Sequence, residues 1–292
     1  MSLWIPFTLL AALMQAIRNA LQKTLSTQTS VLGATLARFL FASPLALLYL
    51  LGLYQWQPYD WPEISAATVA YVLGAAVMQI LATALMVKLF TWKNYAIGVG
   101  LAKSEAVLAA LLGVLCWQLE MSMTGWCGVA LGGVAVFLLA GASKTKALSW
   151  PVLGLGLGSG LAFALAGLWV RDAALSTGLV FLPAAAWVLL AVILTQSLLL
   201  GAWVLLKEPA TLVTLWRYRR LTFLSSLTSA LGSLGWFTAM SLHSVAYVKT
   251  LGQVEVLFSL LISTLVLKER LKAGDLAGLV MVVAAAVLVM WA

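Results

Sequence analysis

Two stretches of this chain, Tyr95 to Leu139 and Val245 to Val289, run in register when laid on each other with a fixed offset of 150 residues and no gap. They agree at Ala96/Ala246, Leu101/Leu251, Glu105/Glu255, Leu111/Leu261, Leu115/Leu265, Gly128/Gly278, Ala135/Ala285 and Leu138/Leu288. Most of these matches are ordinary apolar residues, but Glu105/Glu255 is a carboxylate inside an apolar run of membrane length. An ionised group there is costly, so by default it marks a functional site. Its presence once in each copy points to a duplicated unit with a site between the copies, the pattern of a secondary transporter.

The composition allows little else. With 63% hydrophobic and 9% charged residues over 292 positions, the chain carries far less charge than the roughly one quarter typical of soluble domains. It reads as an integral membrane protein and, with no separate polar tract, as one membrane domain; the longest polar interruption, Lys207 to Arg220, is itself mixed with Leu, Val and Trp. A hydrocarbon core about 30 Å thick takes roughly 20 residues of helix. On that ruler ten spans are expected, at 4–22, 31–53, 66–90, 95–117, 124–141, 151–170, 180–205, 222–241, 247–267 and 274–291. The first run lacks a basic leader and a small-residue cleavage site, so it is read as a helix and not as a signal peptide. Cys116 and Cys127 stand alone in apolar surroundings beside a single His; a disulfide framework or zinc site is not expected, and no metal or other cofactor is assigned.

The formal charge of +8 is read as topology, not as a sign of nucleic acid. Lys23, Lys93, Lys144, Lys146, Lys207, Arg217, Arg219, Arg220, Lys268, Arg270 and Lys272 fall in connections on one side. Asp60, Glu63, Glu120, Arg171, Asp172 and His243 fall on the other. The basic side is expected to be cytoplasmic, which places both termini outside. The offset of 150 extends back through Ala12/Ala162, Ala16/Ala166, Leu25/Leu175 and Ser26/Ser176. Residues 1–146 and 147–292 then each hold five helices, and because five is odd the second copy enters from the opposite face as an inverted repeat. At about 1.5 Å per residue, Glu105 lies roughly 15 Å into its span, and Glu255 lies at a similar depth approached from the other face.

Length, helix count and the five-plus-five repeat resemble the drug/metabolite transporter superfamily, in particular its EamA-type ten-helix branch and the YddG-like amino-acid exporters. Leu267-Lys268-Glu269-Arg270-Leu271 followed by Gly278 is similar to the family's Glu-bearing turn, and Arg38 with Ala42 to the start of its second helix. The chain departs from the family pattern at Glu120, one position later than the repeat register predicts, and at Ala106 and Val256, where many relatives carry Pro. The resemblance implies export of small metabolites, amino acids including aromatic and other neutral ones, by alternating access across a bacterial-type inner membrane. It also implies a cavity lined by the first, third, fourth, sixth, eighth and ninth spans.

The candidate pathway residues are Gln15, Asn19, Gln79, Lys103, Glu105, Trp169, Trp236, Gln253 and Glu255. Lys103 and Glu105 are two apart, so on an ideal helix they diverge by about 200° and cannot pair. Either glutamate could exchange a proton or meet a substrate ammonium, with Lys103 meeting a carboxylate; equally, the glutamates could tie helices together through Lys103, Lys88 or Arg18. Gln15, Arg18 and Asn19 share a face of the first helix. Near the basic end, Arg18 is expected to snorkel, and Gln196 to act as glue between helices. Trp4, Trp56, Trp61, Trp92, Trp150 and Trp291 fit an interfacial belt; Trp169 and Trp236 fit core or lipid contact, or a face for substrate. The Gly154-x-Gly156-x-Gly158-x-Gly160 run lacks the strand of a dinucleotide fingerprint and reads as close helix packing, with a possible gating role that Gly98 and Gly100 share. His243 and Lys249 are expected as solvated residues at the outer mouth.

A membrane enzyme would need a nucleophile and base or a metal cluster, which one His and two apolar Cys do not supply; a channel is not excluded by duplication. Among transporters, an exporter of cationic drugs would want acidic aromatic walls, and a carrier of phosphorylated or sugar metabolites would want cavity cations, which Lys103 keeps open. The expected partners are a small-molecule substrate and the lipid bilayer, with no nucleic acid; a monomer is compatible with the sequence.

Overall fold

A computed structural model describes residues 2–92, 101–141, 150–267 and 273–292. The connections carrying Lys93, Gly98, Gly100, Lys144, Lys146 and the Lys268–Lys272 turn lie outside the described residues.

Within a bilayer each backbone N–H and C=O must be satisfied inside the protein, and helices do this locally. The described chain is accordingly helical, in the order α1 (Trp4–Leu25), α2 (Val31–Leu36), α3 (Ala42–Trp56), α4 (Ala66–Trp92), α5 (Glu105–Trp117), α6 (Met123–Gly141), α7 (Trp150–Leu175), α8 (Phe181–Lys207), α9 (Pro209–Arg217), α10 (Arg219–Leu242), α11 (Val245–Leu251), a 3₁₀ turn (Gly252–Val254), α12 (Glu255–Leu267) and α13 (Ala273–Met290). Among the described residues, four helical stretches are long and apolar enough to cross a membrane: α4, α7, α8 and the segment Val245–Ile262. Large side chains such as Leu48, Leu198 and Leu206 point outward and exposed, as lipid contact requires.

The helices α1 and α10 fall short on hydropathy because they carry polar groups inward. Arg18, Asn19 and Gln22 are buried on α1, and Ser225, Ser226, Ser229 and Ser233 on α10. These two helices pack on each other, which removes both polar faces from lipid. The other main pairs are α4 with α7, α6 with α13 and α3 with α8; α5 packs on α7, and α12 on α1. Exchanging each helix for its counterpart 150 residues away maps α1 with α10 onto α7 with α4, and α5 with α7 onto α12 with α1.

Three expected spans are interrupted. The span expected at 31–53 breaks at 37–41, between α2 and α3. Pro44, in the first turn of α3, has no N–H and its ring opposes the carbonyl four residues before it, so one helix cannot run through. Hydroxyl groups take up the freed backbone: Ser226 Oγ donates to Ala37 O at 2.7 Å and accepts from Phe41 N at 3.1 Å, and Ser197 Oγ donates to Phe39 O at 3.1 Å. The spans expected at 95–117 and 247–267 break at Lys103–Ser104 and Gly252–Val254. In each case the helix restarts at a glutamate, Glu105 for α5 and Glu255 for α12.

The connections hold more structure than the spans alone, and one expectation about helix ends is corrected. The Lys207 to Arg220 tract contains the helix α9, opened by Pro209 at a position where its missing N–H costs nothing. Trp56, Trp92, Trp150 and Trp291 are exposed at helix ends and Trp61 in the connection after α3, whereas Trp4 is buried, its ring stacked 4.8 Å from that of His243.

Close approach decides the glycines. At Gly235 on α10 a Cβ would lie 2.7 Å from the backbone O of Phe7 on α1; at Gly160 on α7 it would lie 2.1 Å from Ser104 Oγ and 3.1 Å from Glu105 N. Of the four glycines on α7, Gly156 and Gly160 are packed in this way against 101–105, while Gly154 meets nothing within 4 Å. Gly235→Ala therefore lowers the melting temperature in detergent, by an amount equivalent to about 1–3 kcal/mol of overpacking. Gly154→Ala leaves it unchanged or raises it, by up to about 1 kcal/mol of helix propensity. Thermal denaturation of the two variants beside wild type checks the pair.

Candidate functional site

Glu255 is fully buried. As the first residue of α12 it follows the 3₁₀ turn without a gap, and its backbone N–H donates to the carbonyl of Gly252 in that turn. Three side chains from elsewhere in the chain converge on it. Gln15 Nε2 donates to Oε2 at 2.5 Å and Asn19 Nδ2 to Oε1 at 2.7 Å, both from α1, and Lys103 Nζ donates to Oε2 from the break before α5. Gln15 and Asn19 are one helical turn apart, so both amides reach the same carboxylate.

Glu105, the first residue of α5, is 3% exposed. Lys249 Nζ on α11 lies 3.4 Å from its Oε2, and Lys103 Nζ lies 3.6 Å from its Oε1. The Lys103–Glu105 contact corrects the expectation that these two residues cannot pair, because residues 103–104 form a turn and the ideal helical angle does not apply. Lys249 is corrected as well: it is 6% exposed, with Nζ 4.3 Å from the centroid of the Trp236 ring, a cation–π arrangement. The ion pairs thus join the two parts of the chain in both directions, Lys103 to Glu255 and Lys249 to Glu105.

Trp236 on α10 holds the arrangement from a third side. Its indole Nε1 donates to Gln15 Oε1 at 2.8 Å, and its ring fills the space a side chain would need at Gly252, in the break before Glu255. Gln253, in the same break, is buried against Gly132 of α6, and its amide has no hydrogen-bond partner among the described residues. Gln79 lies elsewhere, between α4 and α8, accepting from Gln196 Nε2 at 2.8 Å. Trp169 packs on Gly74 of α4, and Lys88 lies over the Trp92 ring at 5.1 Å. Neither Trp169 nor Lys88 lines the cavity described next.

Gln15, Asn19, Lys103, Glu105 and Glu255, with Met86, Ala102 and Phe163, line a cavity that has room for about one water molecule. Two arginines flank it. Arg18 is 1% exposed, not snorkelled, and donates through Nη2 to Asn19 Oδ1 at 2.8 Å. Arg38, in the break between α2 and α3, is 3% exposed; its Nε donates to Ser229 Oγ at 2.9 Å and its Nη1 to Thr83 Oγ1 at 2.6 Å. At one end of the bundle, Arg171 Nη1 donates to Met240 O and His243 O. Burial, and then the charge of Arg171, hold the His243 imidazole below its ordinary pKa. His243 is therefore part of a packed cap with Trp4 and Tyr247, whose rings lie 4.8 and 5.2 Å from its own.

Sequence reasoning passed over Arg38 as a site residue and placed Arg18 and Lys249 in water. Lys249 lies inside the span expected at 247–267, and a lysine in such a run already carried the same signal as Glu255.

Residues 150–291 match the EamA-like transporter family, a segment that carries Trp236, Lys249, Gln253 and Glu255. No curated protein matches the chain. A solved structure described only as "Crystal structure of protein" is similar over 99% of this chain and 96% of its own, with a TM-score of 0.76 and 12% identity. At that identity the likeness concerns the fold alone. The matched segment is 142 of 292 residues, just under half of the chain.

The two carboxylates differ in how fully they are satisfied. Glu255 accepts from three side chains, whereas the lysines at Glu105 stand at 3.4 and 3.6 Å. Removing one partner of a buried pair leaves an uncompensated charge, at about 3–5 kcal/mol. Glu255→Gln is expected to lower the melting temperature in detergent more than Glu105→Gln does. Equal shifts would contradict the ranking.

Proposed function

We propose that this protein is a membrane transporter, a secondary carrier of amino acids working by alternating access around the Lys103–Glu255 and Lys249–Glu105 pairs. One observation carries the reading: two carboxylates, each at a helix restart inside the membrane, are each tied to a lysine from the other half across a cavity too small for a solute. Interrupted helices at corresponding places in two halves are the structural signature of a substrate site in such carriers. The symmetric pairing of helices supports ten spans arranged as an inverted repeat of residues 1–146 and 147–292.

The chemistry follows from the ties. In the structure each lysine pairs with a glutamate. An amino-acid head carries both signs, so its carboxylate can take Lys103 while its ammonium takes Glu255, with the amides of Gln15 and Asn19 redirected to the same groups. The substrate thereby replaces the contact it breaks, and the halves are free to separate on one side. A solute lacking one sign would leave a buried charge unpaired, at the penalty given above. Only this differential interaction can shift the carrier between its closed and open forms. We further propose export across a bacterial-type inner membrane, with the basic connections cytoplasmic and both termini outside, on the Lys/Arg distribution.

Counterflow into liposomes tests the site. With labelled amino acids outside and unlabelled ones inside, wild type is expected to show saturable exchange. Glu255→Gln and Glu105→Gln are each expected to reduce it at least tenfold, about 1.4 kcal/mol in substrate recognition. Two variants that both exchange like wild type would overturn the assignment.

A further inference from the structure

The helix α8 is long and apolar enough to cross a membrane and ends at Lys207, and α10 starts at Arg219. The nine residues of α9 between them therefore lie level with one surface of the bilayer. Their inner face is fastened. Thr211 and Leu215, one turn apart, are buried, and Leu215 packs in a cluster with Leu36, Phe39 and Val204. Both ends are tied to the connection between α1 and α2: Ser30 Oγ donates to Glu208 Oε2 at 2.6 Å, and Tyr218 Oη donates to Gln28 Oε1 at 2.7 Å. Thr211 Oγ1 donates to the same Glu208 oxygen at 3.3 Å, so the carboxylate of this tract is taken up in holding the helix.

The outer face differs in chemistry. Val213 and Trp216, three positions apart, are 71% and 66% exposed, and Arg217 follows on the same side, four positions from Val213. Arg219 and Arg220 at the start of α10 and Lys207 at the end of α8 are exposed as well. Water is a poor setting for the indole and the isopropyl group, and acyl chains are a poor one for guanidinium. The boundary between lipid heads and tails suits both. It takes the amphipathic indole, and its phosphates match the guanidinium fork through paired hydrogen bonds. Basic and apolar groups side by side on a helix at the membrane surface characterise an interfacial helix.

We infer that α9 is a docking surface for anionic phospholipid, whose head is held by Arg217, Arg219 and Arg220 while its acyl chains lie against Val213 and Trp216. Attraction to a charged leaflet grows with each basic group near it. Because the inner face of α9 is fastened, these groups stand ready and little ordering is lost on binding. Phe39, in the break between α2 and α3, shares the cluster of Leu215, so a lipid held on α9 bears on that break. The surface serves whatever solute the chain carries.

The experiment is thermal denaturation of the purified full chain in detergent, titrated with phosphatidylglycerol, with phosphatidylcholine, or with glycerol 3-phosphate, which has the charged head and no tails. Phosphatidylglycerol is expected to stabilise wild type at roughly one tenth of the phosphatidylcholine concentration or less, glycerol 3-phosphate to have no such effect, and native mass spectrometry to show phosphatidylglycerol retained. The combined variant Arg217→Gln, Arg219→Gln and Arg220→Gln is expected to lose most of the preference, and Trp216→Ala part of it. The wild-type comparison decides the matter even where the combined variant does not fold. Equal stabilisation by the two lipids, an undiminished preference in the combined variant, or a full response to glycerol 3-phosphate would overturn the inference, the last by assigning the arginines to a free phosphate. So would a combined variant that turns a two-chain species into single chains with the lipid preference intact, which would place a second copy on this face.

Discussion

A carboxylate in hydrocarbon must be neutralised and hydrogen-bonded at once, and Glu255 draws both from residues far away in sequence. Its partners lie 152, 236 and 240 positions off, at Lys103, Asn19 and Gln15. Much of the bundle's arrangement is the set of packings that bring these groups together. α1 must cross near the start of α12 to deliver two amides. The chain before α5 must present Lys103 to the same point, and α10 must place Trp236 where its N–H fixes Gln15. Each of these side chains would be expensive alone in lipid, and each is satisfied by another that would be equally so.

The breaks in the helices serve the same need. The turn at Lys103–Ser104 lets Lys103 reach Glu105 as well as Glu255, and the 3₁₀ turn at Gly252–Val254 leaves the Trp236 ring its place beside Glu255. Small residues make the interruption possible: Gly160 admits the turn before Glu105, and Gly252 yields its side-chain space to Trp236.

The glutamates were legible in the sequence because an ionised residue repeated at one offset in apolar runs has few structural excuses. The cations were harder to read, since a lysine or arginine near the end of a span looks the same whether it reaches water or a buried partner. Arg18 and Lys249 are in the second group, and only the packing of α1 on α10 and of α11 on α5 makes that visible. The Lys103–Glu105 contact was missed for a related reason, because helical geometry was applied across a turn that no Pro or Gly at those positions announces. Pro44 did announce the break before α3, but hydropathy read over a full span averages it away. Gln79 shows the reverse case: a polar residue in a span, equally conspicuous in sequence, whose partner is a neighbouring glutamine outside the cavity wall.

The interruption at 37–41 has no equivalent in the other half, where α8 runs unbroken from Phe181 to Lys207. The two copies therefore differ in stiffness. One can articulate where serine hydroxyls already stand in for peptide partners, while its twin must move as a rod. Any bending of the bundle near the buried glutamates then meets a joint on one side and a rigid strut on the other.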